Sequence, residues 1–117
     1  MPSWRFERGE NALFEGTVLI STSSGAAKTA ADLTGGTLYL HFGSSLNSPM
    51  KTWTAGGSSL QITVATLGIY QFEWQPEDTE ELSAGSYYFD LWYKNSANKE
   101  YCVTVGTVTL LGVVGTI

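Results

Sequence analysis

The stretch that decides the fold of this protein reads Leu82-Ser83-Ala84-Gly85-Ser86-Tyr87-Tyr88-Phe89-Asp90-Leu91. In Greek-key β-sandwiches, a tyrosine near the start of a late strand hydrogen-bonds back to the chain just upstream, at the corner where the chain changes sheet. Gly85, Tyr87 and Phe89 fit this pattern: the glycine permits the bend, the tyrosine forms the corner, and Phe89 points into the core. The stretch therefore predicts an immunoglobulin-like β-sandwich.

The apolar residues of the whole chain support this fold class, because they alternate with period two and almost nowhere with the period of a helix. Such runs number about seven, and turn signals separate them every ten residues or so, which is typical of an antiparallel two-sheet sandwich. We expect a single domain over 1–117. Trp74 or Trp53 supplies the large ring across its core. The other expected core residues are Leu40, Ile62, Phe89 and Leu91.

Three local features of this sandwich are also predicted. Gly56-Gly57 separates two alternating runs and indicates a hairpin between them. Gly106 interrupts the last run and indicates a β-bulge. Pro76, followed by several acidic residues, predicts a short helical turn over 76–82, since proline and acids are favoured at the positive N-terminal end of a helix.

Composition excludes several classes of function. The formal net charge is -5, with only six lysines and arginines, so we expect neither nucleic acid nor an acidic membrane surface as a partner. Cys102 is the one cysteine, which rules out an internal disulfide and favours a reducing compartment. Because the sequence has neither a signal peptide nor about 18 consecutive apolar residues, a soluble protein made in the cytoplasm is predicted.

The chemistry-bearing residues do not form a catalytic pattern. His41, the only histidine, alternates with Leu40 and Phe42 and so falls on the wetter side of its strand. Pairing it with Ser44, Ser45 or Cys102 is arithmetically possible, but no nucleophile motif supports this. We therefore predict a solvated strand histidine, no catalytic residue and no enzyme activity.

An acidic cluster near the helical turn suggests calcium, because hard cations prefer carboxylate oxygens. The spacing lacks the alternating ligands and the internal glycine of a calcium loop, so a solvated helical turn is the preferred interpretation, and neither metal nor cofactor is predicted. The cluster consists of Glu73, Glu77, Asp78, Glu80 and Glu81.

Two features predict an interaction surface. If Phe89 faces the core, then Tyr88, Asp90 and Trp92 face outward. Such a stripe suits a sugar, whose ring stacks on aromatics, and equally a protein interface, where Tyr and Trp are enriched. The uncharged tail 111–117 either completes the domain's own sheet or docks on a neighbour. The predicted interface residues are Tyr88, Trp92, Val113, Val114 and Ile117.

Three motifs also occur in a fixed order: Trp4-Arg5-Phe6-Glu7-Arg8-Gly9-Glu10, then Asp32-Leu33-Thr34-Gly35 with the strand Leu38-Tyr39-Leu40-His41-Phe42, then 76–91. Together they resemble the immunoglobulin-like module of tailed-bacteriophage baseplate and tail proteins, typified by the N-terminal domain of baseplate upper proteins. The resemblance covers nearly the whole chain. Glu10 stands where the family more usually has Asp, and no shaft or receptor-binding segment follows Ile117.

The resemblance implies a non-enzymatic virion structural protein, an adaptor or connector of the tail or baseplate rather than an adhesin. Its expected partners are other virion proteins and copies of itself in a symmetric assembly. Its expected location is the virion, after synthesis in the cytoplasm of the bacterial host. Two alternatives stay open: a carbohydrate-binding sandwich for host-surface glycans, and a capsid decoration protein.

Overall fold

Ten β-strands make up most of the part of the chain that the computed structural model describes, which is residues 3–21, 25 and 27–112. A 3-10 turn lies at Ala65–Leu67, and one helical turn, α1, at Pro76–Thr79. The strands are β1 (Ser3–Glu7), β2 (Ala12–Thr17), β3 (Leu19–Ile20), β4 (Thr29–Ala30), β5 (Thr37–Gly43), β6 (Lys51–Thr54), β7 (Leu60–Val64), β8 (Ile69–Trp74), β9 (Gly85–Lys94) and β10 (Glu100–Leu111). The predicted all-β class is confirmed.

The strands form two facing sheets. One has the order β1-β10-β9-β5-β6 and the other β2-β8-β7, while β3 and β4 pair separately. Three neighbouring pairs, β1–β10, β5–β9 and β2–β8, join strands that are distant in sequence, as the Greek-key connections of an immunoglobulin-like sandwich do. The pairing is antiparallel except between β1 and β10, which run parallel with Trp4 opposite Val108. The parallel first strand is an addition to the predicted antiparallel sandwich.

The predicted hairpin at Gly56-Gly57 is also wrong. β6 pairs with β5 in the larger sheet, with Trp53 opposite Leu40. β7 pairs with β8 in the smaller sheet, with Leu60 opposite Phe72. The chain thus crosses between sheets at the glycine pair, because Trp53 and Leu60 both pack into the core from opposite layers.

The centre of the core is Trp74, which is fully buried. The rings of Phe42, Phe72 and Trp53 meet it edge-on, with centroids 4.9, 5.0 and 5.4 Å away, an arrangement that aromatic quadrupoles favour. Trp74 therefore supplies the large ring across the core, and half-buried Trp53 packs beside it. Of the other expected core residues, Leu40, Phe89 and Leu91 are buried and Ile62 is half-buried.

The corner that precedes β9 has the predicted geometry. The hydroxyl of Tyr87 donates a hydrogen bond to the carbonyl oxygen of Ser83 at 2.8 Å. Gly85 has φ +149°, which L side chains rarely adopt, and Phe89 lies in the core. The helical turn upstream is shorter than the predicted 76–82. No helix in the described ranges has both the length and the apolar character needed to cross a membrane.

Candidate binding face

The side of the larger sheet that faces away from the core is called the outer face here. Because side chains alternate along a strand, the neighbours of core residues Leu40 and Leu91 point outward. The register places Tyr39 opposite Trp92, His41 opposite Asp90 and Gly43 opposite Tyr88. The outward orientation expected for Tyr88, Asp90 and Trp92 agrees with this register, and all three side chains are half-buried.

His41 and Asp90 form a hydrogen-bonded pair at the middle of the outer face. His41 Nδ1 lies 2.6 Å from Asp90 Oδ1, and the two side chains are 33% and 35% exposed. His41 is thus not a free solvated histidine. Since Nδ1 is engaged by Asp90, Nε2 is the imidazole nitrogen left for another partner.

A loop folds back over the outer face beside this pair. The carbonyl oxygen of Ser48 lies 2.4 Å from where a Cβ on Gly43 would stand, so a residue without a side chain is needed there. Asn47 adopts a left-handed conformation with φ 64°, and the N–H of Met50 donates to the carbonyl oxygen of Phe42 at 2.7 Å. The loop leaves Leu46 60% exposed.

The loop and the sheet enclose an open cavity of about 320 Å³, called the outer-face groove here. The residues that line it include His41, Leu46, Pro49, Tyr88, Asp90, Trp92 and Val105. A second cavity of about 300 Å³, lined partly by Tyr39, Lys94 and Glu100, shares His41 and Trp92 with the first. The two cavities therefore lie along one strip of the outer face.

Val105 lines this groove because the β-bulge of β10 is not at the predicted position. The register with β9 shifts between Cys102 and Thr104, not at Gly106. The extra residue reverses the alternation, so Val105 lies opposite Asp90 on the outer face. Gly106 lies opposite Phe89 instead and is buried. A run of valines and threonines carries no signal for the position of this bulge.

Cys102 lies opposite Trp92, near the groove, and is exposed. Partial burial, and then the negative charge of Asp90, raise the pKa of the Cys102 thiol above its ordinary value. Such a thiol is protonated at neutral pH, whereas a nucleophilic cysteine needs its thiolate form. The geometry therefore offers no activated nucleophile at this cysteine.

The acidic cluster lies in and around α1, and none of its residues lines the groove. Asp78 accepts a hydrogen bond from the N–H of Gln75 at 2.8 Å and another from Lys51 Nζ at 3.0 Å. Its carboxylate thus caps the helical turn and pairs with β6. Among the described residues, no three His, Cys, Asp or Glu side chains come together as metal ligands would.

The predicted interface tail is described only at its start. Leu111 ends β10 and pairs with Glu7 of the same chain, so the tail begins within the domain's own sheet. Val113, Val114 and Ile117 lie outside the described residues.

Comparison with known proteins finds no family model that matches the chain and no similar curated protein. What the outer face can bind therefore follows from its own chemistry. Aromatic and aliphatic side chains surround one polar pair, which is the composition of a binding surface: apolar contact area with a few orienting hydrogen-bond groups.

Proposed function

We propose that this protein is a non-enzymatic structural component of a tailed-bacteriophage particle, an adaptor or connector of the tail or baseplate. It acts by assembly, through contacts of its outer face with neighbouring proteins. The observation that carries this proposal is the outer-face groove, where Tyr88 and Trp92 flank the His41–Asp90 pair beside exposed Leu46.

The virion assignment draws support from contacts among the motifs that resemble the phage module. In the turn of the first motif, the N–H of Gly9 donates to Thr79 Oγ1 at 2.8 Å, and Arg8 Nη1 donates to the carbonyl oxygen of Glu80 at 2.9 Å. The strand of the second motif pairs with β9 of the third, with Leu40 opposite Leu91 and Phe42 opposite Phe89. The motifs are thus joined in one framework, as parts of a single module would be.

A protein partner is favoured over a glycan by the aliphatic side chains at the loop. Leu46 is 60% exposed and Met50 46% exposed. Covering such side chains removes apolar surface from water, which stabilises a protein interface. A sugar instead needs many hydrogen-bonding partners, and one oxygen of Asp90 is already engaged by His41.

The test is the composition of the particle. We expect the protein to be present at a fixed copy number in gradient-purified particles of the phage that encodes it, as measured by quantitative mass spectrometry. A Tyr88→Ala, Trp92→Ala double variant should be incorporated at a level at least tenfold lower. Leu67→Ala is the matched control, because Leu67 is 58% exposed but does not line the groove. Absence of the unaltered protein from particles contradicts the proposal.

Carbohydrate binding is the second candidate, favoured by one specific observation: Trp92 and Asp90 line the same open groove. In that case the protein gives a glycan-array signal, and Trp92→Ala abolishes it without changing the oligomeric state. For the assembly function we expect no glycan signal.

A further inference from the structure

We propose that the outer-face groove of one copy binds residues 113–117 of a second copy. This inference rests on the proposed assembly function and names the partner of the same site. The segment reads Val113-Val114-Gly115-Thr116-Ile117 and carries no charged side chain.

The chemistry of the groove fits a segment without charged side chains. Its lining has two side chains of the charged types, His41 and Asp90, and these are paired with each other at 2.6 Å. A charged side chain would lie unpaired against His41 and Asp90, which already pair with each other, and burying it there would be costly. Apolar side chains instead cover exposed Leu46 and the rings of Tyr88 and Trp92, and β-branched residues favour the extended conformation that suits a strand-lined groove.

Distance keeps the segment away from the far part of the groove on its own copy, at Asp90 and Trp92. Asp90 lies opposite Val105 in the sheet, and Gly112 comes seven residues after Val105. Seven residues of strand span about 23 Å, and a Cβ on Gly112 would lie 3.7 Å from Ala84 Cβ, so the chain is still moving away from Asp90 at that point. Fully extended, residues 113–117 reach at most about 18 Å. A segment of the same copy therefore stops short of Asp90 and Trp92, and only a second copy can place its segment along the full groove.

The proposed contact uses different surfaces on the two copies. Each copy donates a segment near the end of β10 and accepts one on its outer face, so the contact is head-to-tail. Repeated contacts of this kind close into a ring when the rotation between copies permits, and otherwise extend as a filament.

The test separates donor from acceptor with two full-length variants. Val114→Asp places a charge in the segment, and Leu46→Asp places one at the rim of the groove. In light scattering, the molar mass of the unaltered protein should exceed that of a monomer as concentration increases. Each variant alone should keep the molar mass of a monomer. An equimolar mixture should form a heterodimer, because each variant keeps the half of the contact that the other lacks.

Leu67→Asp is the matched control and should assemble like the unaltered protein. Leu46 is already 60% exposed, so its variants should keep the native far-ultraviolet circular dichroism, and Leu46→Asn serves as a milder second variant. The inference is overturned by an unaltered protein that stays at one copy, by a Val114→Asp or Leu46→Asp variant that assembles normally, or by a mixture that stays monomeric.

The outcomes also separate this inference from the proposed function. A protein that is present in phage particles but monomeric in solution overturns the head-to-tail contact and leaves the virion function standing. If the mixture forms the heterodimer but the protein is absent from phage particles, the head-to-tail contact stands and the virion function is overturned. A glycan-array signal from a monomer overturns the inference in favour of the carbohydrate function.

Discussion

Thr79 is fully buried, and its side-chain oxygen accepts a hydrogen bond from the backbone N–H of Gly9 at 2.8 Å. This bond fastens the turn after β1 to the helical turn α1. The turn itself needs glycine, because Gly9 has φ +80°. The two ends of the contact lie 70 residues apart in the chain, so the bond forms only when both sheets are in place.

Thr79→Val tests this contact, because valine has nearly the same shape but offers no acceptor. The N–H of Gly9 then loses its partner, and we expect the free energy of unfolding to fall by about 1–3 kcal/mol, as measured by urea denaturation. Thr63→Val is the control: the Thr63 hydroxyl makes an exposed hydrogen bond to Ile69, so its loss should cost less than about 0.5 kcal/mol. Equal losses in the two variants would contradict the structural role of Thr79.

Tyr87→Phe removes the hydroxyl that bonds to Ser83 and keeps the ring, whose centroid lies 5.3 Å from that of Phe42. We expect a loss of about 0.5–1.5 kcal/mol in the free energy of unfolding. Tyr88→Phe changes the same group one residue further on, on the outer face, and should have a smaller effect. A Tyr87→Phe variant as stable as the unaltered protein would show that the corner is held by packing alone.

Gly43→Ala tests the loop that walls the groove. The added methyl group would stand 2.4 Å from the Ser48 carbonyl oxygen, so the loop must move, at a cost of about 1–3 kcal/mol. At Gly57 the nearest atom to an added Cβ is 3.7 Å away, and Gly57→Ala should therefore be tolerated. Thermal denaturation compares the two, and backbone amide chemical shifts of residues 44–50 report whether the loop has moved.

Because Tyr70 is buried, we expect the protein to lose stability in alkali. Tyr70 is only 8% exposed, and burial raises the pKa of its hydroxyl above the ordinary value of 10.0. Between pH 10 and the raised pKa, the unfolded chain has released this proton and the folded protein has not. The free energy of unfolding should therefore fall by up to about 1.4 kcal/mol per pH unit on account of Tyr70.

Urea denaturation between pH 8 and 11 measures this dependence. Tyr70→Phe should flatten the alkaline decline, since phenylalanine has no proton to release. The pKa of Tyr93 is also raised, first by burial and then by the charge of Asp32, so part of the decline should persist in the variant. An unchanged pH profile in Tyr70→Phe would contradict the assignment to Tyr70.

The sequence by itself determined the fold class, the corner at Tyr87 and the position of the helical turn. These features are local: alternation follows from the geometry of an extended chain, Gly85 has a conformation open mainly to glycine, and the corner bond spans four residues. Trp74 and Leu91 were likewise predictable as core residues, because one strand's alternation is enough to assign its buried side.

Only the tertiary structure decided which strands are neighbours and which side chains meet on the outer face. The crossing between sheets at Gly56-Gly57 and the bulge after Cys102 depend on packing against partners far along the chain. The His41–Asp90 pair joins residues 49 positions apart, and it exists because β5 and β9 adopt one register of several that their alternation permits. Register depends on how all the strands pack together in the core, so a short stretch of sequence does not determine it.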